Sequence, residues 1–419
     1  MLKQLLMAAT GAALITLGVG EASYASSLKV VASGLDGPRG LTFGPDNALY
    51  VTEAGRGGTG ACIPAPGAGS ALSMCYGATG AVTRIQNGQQ ERVVTGLPSL
   101  ATSVPQIPVS FNAFGPQDIQ FDTTGKAYLL LGLGSSPEQR DNVLKVPEFG
   151  QLVAIDPLKT GSSLTKLADL AAYEGLYNPD QTGGSLYNPY QNGIDSNPYA
   201  FLIKGKNAYI VDAAANDLFQ AKTDGSELKL LSVFPERPVT DPATGQTIGM
   251  QSVPTSIAAG SDGALYVGEY TGYPSPDKAA RIFKIGADNQ PVVYADGFTQ
   301  IVDLAFDKQG GLYVLDFASN SLNPQNGIPY GELIHVSPDG KRKTIANEGL
   351  ILPTALALGS EGNIYISNQG YFSGQGQVVS VAVPEPSYVA STLAFGVLMM
   401  GTRLLRQQKS SISVKNCVE

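Results

Sequence analysis

A short block recurs six times along this chain of 419 residues on an almost fixed register. Pro38-Arg39-Gly40-Leu41 is followed by Tyr50, Pro116-Gln117-Asp118-Ile119 by Tyr128, and Pro198-Tyr199-Ala200-Phe201 by Tyr209. Pro254-Thr255-Ser256-Ile257 is followed by Tyr266, Ile301-Val302-Asp303-Leu304 by Tyr313, and Pro353-Thr354-Ala355-Leu356 by Tyr365. The step from the last apolar residue of the block to the tyrosine is nine in five copies and eight in the third. One hairpin geometry tolerates one loop length, so such constancy requires a repeated supersecondary unit. With 50 Gly and 27 Pro in the chain, that unit is built from short strands and turns rather than long helices.

Each copy reads as four strands. The Pro-led segment is strand a and the segment around the tyrosine is strand b, both marked by alternating apolar residues. Strand c recurs as 81–85, 151–155, 217–221, 281–285, 332–336 and 377–381. Strand d recurs only five times, around Val93, Leu167, Leu230, Val292 and Ile345. The missing sixth copy lies at the other end, where Lys29-Val30-Val31-Ala32-Ser33-Gly34-Leu35 matches Arg92-Val93-Val94-Thr95-Gly96-Leu97. A ring whose last blade is completed by the first strand leaves no long exposed edge. The expectation is therefore an all-β fold, a six-bladed β-propeller over residues 28–383 closed by the N-terminal strand.

Loop lengths orient this ring. The a-to-b turns are all tight, whereas the long insertions (54–79, 99–113, 132–148, 173–196, 235–252, 270–279 and 317–330) all fall on the opposite face. Insertions of that size are usually functional. Three residues after each repeat tyrosine, on the long-loop face, stand Glu53, Leu131, Asp212, Glu269, Asp316 and Asn368. Asp118 and Asp303 add carboxylates near the channel mouth. Two readings fit this ring. Its side chains cap turns by accepting backbone N–H bonds, or Glu53, Asp212, Glu269, Asp316 and Asn368 supply oxygens to a hard cation such as Ca²⁺. Tyr177, Tyr187, Tyr190 and Tyr270, with Tyr173, Tyr273, Tyr330 and Tyr371, make the same face tyrosine-rich, suited to an aromatic ligand or a protein interface, or to pinning loops. His335 is the only histidine and shares its strand-c register with Arg84, Ala154, Gln220, Lys284 and Ser380, which argues against a catalytic role. Without a second histidine, a Ser-His-Asp triad or a His-ligated zinc centre is hard to build.

The ends differ in kind from the repeat. Residues 1–25 read as a secretory signal, with Lys3, an apolar run from Leu5 to Val19 and small residues before a cut after Ala25. Cys62 and Cys75 share one Gly-rich insertion and are expected to form a disulfide after export, closing a loop worth roughly 3 kcal/mol. A metal site is the rival use of these two thiols. At residues 384–409, Pro384-Glu385-Pro386 is followed by an uncharged run to Thr402 and then Arg403, Arg406 and Lys409, with 410–419 as a tail. Sixteen helical residues reach ~24 Å against a hydrocarbon core of ~30 Å, a marginal span. Removing residues 1–25 takes away one basic and one acidic residue, and removing 384–419 takes away four basic and two acidic ones. The formal charge thereby moves from -8 to -10. Nucleic acid is an unfavourable partner for such a surface.

Two resemblances attach to these residues. The Pro-Glu-Pro, apolar and basic sequence resembles a PEP-CTERM tail, which implies recognition and cutting by an exosortase, with transient or stable membrane anchoring at the periplasm or cell surface. The stretch from Ala32 to Leu41, Val51-Thr52-Glu53-Ala54-Gly55, Gly115-Pro116-Gln117-Asp118, Asn197-Pro198-Tyr199, Val253-Pro254-Thr255 and the Cys-bearing insertion together resemble the ScyD/ScyE family of cyanobacterial propellers, related to NHL-repeat proteins. That resemblance implies a part in late extracytoplasmic assembly of scytonemin, an aromatic pigment coupled from indole-phenol units. Three roles remain open: a monomeric enzyme or assembly factor holding aromatic precursors, a non-catalytic propeller binding an envelope or matrix protein, and a cation-dependent lactonase-like hydrolase.

Overall fold

The repeat folds as the spacing requires. The computed structural model describes residues 28–66, 72–104, 109–157, 163–181, 193–320 and 329–382, and these build six antiparallel sheets arranged as a six-bladed β-propeller. Blade 1 has strand a at Pro38–Phe43, b at Leu49–Glu53, c at Ser73–Gln86 and d at Gln89–Thr102. Blade 2 uses Pro116–Phe121, Ala127–Leu131, Gln151–Ile155 and Thr165–Asp169; blade 3 uses Pro198–Lys204, Asn207–Asp212, Asp217–Lys222 and Leu228–Val233. Blade 4 uses Pro254–Ala259, Leu265–Glu269, Ala280–Ile285 and Pro291–Phe298, and blade 5 Ile301–Phe306, Leu312–Asp316, Glu332–Val336 and Arg342–Ala346. Blade 6 has Ala355–Leu358, Asn363–Asn368 and Ser373–Ala382, and its fourth strand is the N-terminal Lys29–Asp36, paired with Ser373–Ala382. The signal segment, the C-terminal tail with Cys417, Tyr187 and Tyr190 lie outside the described residues.

The repeat tyrosine is held by the turn it follows. Tyr50 Oη donates to Asp46 Oδ2 at 3.1 Å, Tyr128 to Asp122 at 2.9 Å and Tyr266 to Asp262 at 3.0 Å, while each aspartate also accepts turn N–H groups. These Asx-type bonds explain why tyrosine and a short acidic turn recur together. The strand-c position of His335 completes the same cluster. Arg84 meets Asp46 at 2.7 Å, Lys284 meets Asp262 at 2.7 Å and His335 meets Asp307 at 2.8 Å, so the lone histidine occupies a structural cation position.

Apolar faces of neighbouring blades close on one another. Tyr128, Leu130 and Leu152 of blade 2 pack with Phe201, Ile210 and Phe219 of blade 3 in one buried cluster, and Val302 and Leu315 of blade 5 pack with Ile366 and Val379 of blade 6. Parts of the long insertions carry structure of their own. Strands c and d of blade 1 continue past the ring as one hairpin, with Met74 opposite Thr102, and the short strand Cys62–Pro64 pairs beside strand c, where Cys62 is joined to Cys75 with an S–S length of 2.01 Å. The reason is a satellite core in which Ile63, Met74 and Leu100 meet Leu133, Leu144 and Phe149. Between blades 3 and 4, Arg237–Thr240 and Thr247–Met250 form a two-stranded hairpin. After blade 2 a helix runs over Leu170–Tyr177, N-capped by Asp169, whose carboxylate accepts from Ala172 N at 2.9 Å.

Candidate functional site

The ring at the ends of the b strands is polar but closed. Glu53, Leu131, Asp212 and Glu269 are wholly buried, and Asp316 and Asn368 nearly so. Their oxygens tie the chain that enters each blade to the end of its strand b. Glu53 accepts from Asp36 N at 2.7 Å, Asp212 from Asn197 N at 2.6 Å, Asp316 from Thr299 N at 3.0 Å and Asn368 from Ile351 N at 2.8 Å. Glu53 also takes Thr83 and Arg92; burial would raise its carboxyl, but these bonds hold it below the ordinary carboxylate range. Glu269 takes Arg237 at 3.0 Å and Arg281 at 2.9 Å, and burial still leaves it raised. Where blade 2 carries Leu131, the connection keeps the backbone tie that blades 1, 3, 4 and 5 also have, Gly132 N to Gly115 O at 2.8 Å. Among the described residues no three His, Cys, Asp or Glu side chains form a closed metal-holding group.

The channel is lined by strand a. In blades 1 to 5 the pairing of strands a and b slips just after the first residue of the block, a bulge that leaves the second residue out of register. Bulges re-aim side chains. The second-position residues Arg39, Gln117, Tyr199, Thr255 and Thr354 line both cavities of the channel and so form the waist between them.

Toward the long loops the waist opens into a vestibule of about 180 Å³ walled by Phe114, Tyr199, Tyr270, Phe317 and Tyr371. Arg39 lies at its base, 8% exposed. Its guanidinium donates to Pro38 O at 3.2 Å, to Gly370 O and to Ala113 O at 2.8 Å, and forms no ion pair among the described residues. Burial pulls its pKa down, yet an arginine stays protonated. The three tyrosine hydroxyls have no hydrogen-bond partner among the described residues, and burial raises each pKa, so all three are neutral phenols able to donate or accept. A cation without a counter-ion, ringed by aromatic walls and free hydroxyls, suits a planar ligand bearing an acidic oxygen.

Toward the tight turns the waist opens into a larger chamber of about 570 Å³, lined by Leu41, Phe201, Leu304 and Leu356 with Asp118 and Asp303. Here the carboxylates clamp neighbouring blades. Asp118 Oδ2 accepts from Phe201 N of blade 3 at 3.1 Å, and Asp303 Oδ2 from Leu356 N of blade 6 at 2.7 Å. Burial pushes Asp118 up to about 8, with the charge of Asp303 adding to it, and Asp303 up to about 7. Gly40 makes room for this clamp, because a Cβ there would lie 2.4 Å from Asp118 Oδ1.

The expected site residues thus separate. Tyr270 stands in the vestibule with its ring 5.7 Å from that of Phe317, whereas Tyr177 is 62% exposed on the helix and packs at a tilt against Tyr173, with centroids 4.6 Å apart. Arg39, Gln117 and Tyr199 are site residues that the reading of motifs passed over. Their signal was present in the repeat itself: the second position runs Arg, Gln, Tyr, Thr, Val, Thr while the first is Pro in five copies and the fourth is apolar in all six.

No family model matches the chain, and no curated protein matches it. Among solved structures the chain is similar to a gluconolactonase from Xanthomonas campestris, at 10% identity over 86% of this chain and 98% of that one, with a TM-score of 0.42. It is similar to the PQQ-bound aldose sugar dehydrogenase of Streptomyces coelicolor at 12% identity, over 86% and 98%, with a TM-score of 0.47. A luciferin-regenerating enzyme matches at 9% identity, over 85% and 95%, with a TM-score of 0.45. At these values the likenesses carry no argument about family, substrate or chemistry, and the six blades stand on the sheets described above.

Proposed function

We propose that this chain is an exported binding propeller that seats the phenol ring of an aromatic precursor in the long-loop vestibule, above Arg39. The observation that carries the reading is a buried guanidinium that, among the described residues, bonds only to main-chain carbonyls, beneath five aromatic rings. A cavity of about 150 Å³ takes benzene, so the vestibule's volume of about 180 Å³ suits one substituted ring, with the rest of the ligand lying under the long loops. The resemblance to ScyD/ScyE proteins supports an indole-phenol precursor of scytonemin as the ligand, and holding and orienting it as the role. The Cys62–Cys75 bridge supports an oxidising compartment, the periplasm or cell surface. A PEP-CTERM tail processed by an exosortase is the matching route there. A second reading, an envelope or matrix protein docking on this face, draws on the exposed Leu176, Tyr177 and Tyr330.

Equilibrium dialysis of the indole-phenol monomer against its O-methyl ether tests the ligand chemistry. The free phenol is expected to bind about tenfold more tightly, because only it can give Arg39 an anionic oxygen. Equal affinities would remove Arg39 from the reading, and absence of saturable binding by either compound would remove the vestibule.

A further inference from the structure

The long-loop end of blade 3 gathers carboxylates that the vestibule does not use. Asp212, last in strand b, lies directly opposite Asp217, first in strand c, and like charges so placed repel. Asp180 accepts from Asn216 Nδ2 at 2.9 Å, next in sequence to Asp217. Glu174 is brought over them by the helix Leu170–Tyr177, where Tyr173 packs edge-on against Phe219 of the same strand c, with centroids 5.2 Å apart. Asp212 is fully used, accepting from Ser196 Oγ, Asn197 N, Ala214 N and Ala215 N. Glu174 and Asp217 are not. Both are 0% exposed, and none of their four carboxylate oxygens has a hydrogen-bond partner among the described residues.

Buried polar groups are almost always paired, and each one left alone costs about 1–3 kcal/mol, more if charged. Protonation relieves the charge and leaves the hydroxyl without an acceptor, so it does not resolve the pair. Burial, followed by the neighbouring carboxylates, pushes Glu174 up to about 8 and Asp217 up to about 10, and no lysine or arginine among the described residues offsets them. What satisfies four oxygens and their negative neighbours together is a cation. An all-oxygen donor set selects a hard one, and the flexible geometry of carboxylates drawn from a helix and a strand suits Ca²⁺ better than octahedral Mg²⁺. We propose that Glu174 and Asp217 hold a calcium ion that fastens the helix after blade 2 to the top of blade 3, with Asp212 and Asp180 adding negative charge beside it. Its two ligands lie outside the ring of b-strand ends, and the site is independent of the ligand assigned to the vestibule.

Terbium, an oxygen-seeking stand-in for calcium, gives the test. The chain has no tryptophan, so energy transfer to a bound ion arises from tyrosine, and Tyr173, packed on Phe219 of strand c, is a tyrosine beside the site. In the full-length protein at high ionic strength, tyrosine-sensitised Tb³⁺ emission is expected, and Ca²⁺ should quench it by displacement. Tyr173→Phe should dim the emission at unchanged affinity. Glu174→Gln with Asp217→Asn should weaken Tb³⁺ binding about tenfold or more and abolish the rise in melting temperature that Ca²⁺ gives the unmodified chain. Glu174→Gln alone, with its fold checked by circular dichroism, keeps the test valid if the double variant fails to fold. Undiminished affinity in that variant, emission indifferent to Tyr173→Phe, or no sensitised emission at all overturns the proposal. Ions held loosely on the acidic surface would survive both amide substitutions and count against it.

Discussion

Two rings of side chains encircle the propeller's long-loop end, and they behave in opposite ways. The outer one, Glu53, Leu131, Asp212, Glu269, Asp316 and Asn368, holds the more acidic residues, yet its members are sealed inside their own blades. The inner one, headed by Arg39, Gln117, Tyr199, Thr255 and Thr354, looks unremarkable in composition and lines the channel. The difference lies in the backbone. A carboxylate at the end of strand b meets the N–H groups of the chain entering the same blade, whereas the bulge in strand a turns the second residue of the block toward the axis. Residue type alone does not mark a site; the direction in which the backbone sends the side chain does.

Four variants test this contrast, taken from the largest expected effect downward. The clamps just below the waist, Asp118 and Asp303, have carboxyls raised to about 8 and about 7, above an unfolded value near 4. A raised carboxyl is protonated in the folded state at pH values where the unfolded chain has released its proton. Its stabilising contribution is therefore complete below about 4 and is lost as the pH rises through the folded values, a change on the order of a few kcal/mol. Urea melts in chelator across that window should show stability falling with pH, and Asp118→Asn with Asp303→Asn should flatten the slope. A steeper slope in the variant would contradict the clamp.

Glu53→Gln should cost about 2–3 kcal/mol in urea melts, because Arg92 loses one of its two charged acceptors and keeps only Asp36, while the affinity for aromatic ligand stays the same. Weakened binding in the folded variant would move function back to the outer ring. Arg39→Leu reverses the pattern, with about a 100-fold loss of affinity, equal to about 2.7 kcal/mol. Tyr270→Phe removes one unpaired hydroxyl and keeps the aromatic wall, so dialysis should show about a fivefold loss with an unchanged melting temperature.

The fold was legible because each blade is set by local rules that residue types display: tyrosine bonded to a turn aspartate, alternation along the strands, and an N-terminal strand matching a missing one. The insertion 54–79 was read as loop because the hairpin that fills part of it depends on packing against Leu133, Leu144 and Phe149, far along the chain. The site was less legible for the same reason. Tyr270 was expected on the correct face, but nothing in Pro38-Arg39-Gly40-Leu41 announces that a bulge aims Arg39 at the axis. Nor does Glu174 announce that its helix buries it against Asp217 without a partner.

The most direct test of the vestibule uses the absence of tryptophan from the chain. Fluorescence anisotropy of the indole-phenol monomer, excited beyond tyrosine absorption, reports the bound ligand without interference from the protein. The expected result is a saturable rise with the unmodified chain and with Glu53→Gln, and almost none with Arg39→Leu. An equal rise with Arg39→Leu, or none with the unmodified chain, would contradict the assignment of the inner ring as the binding site.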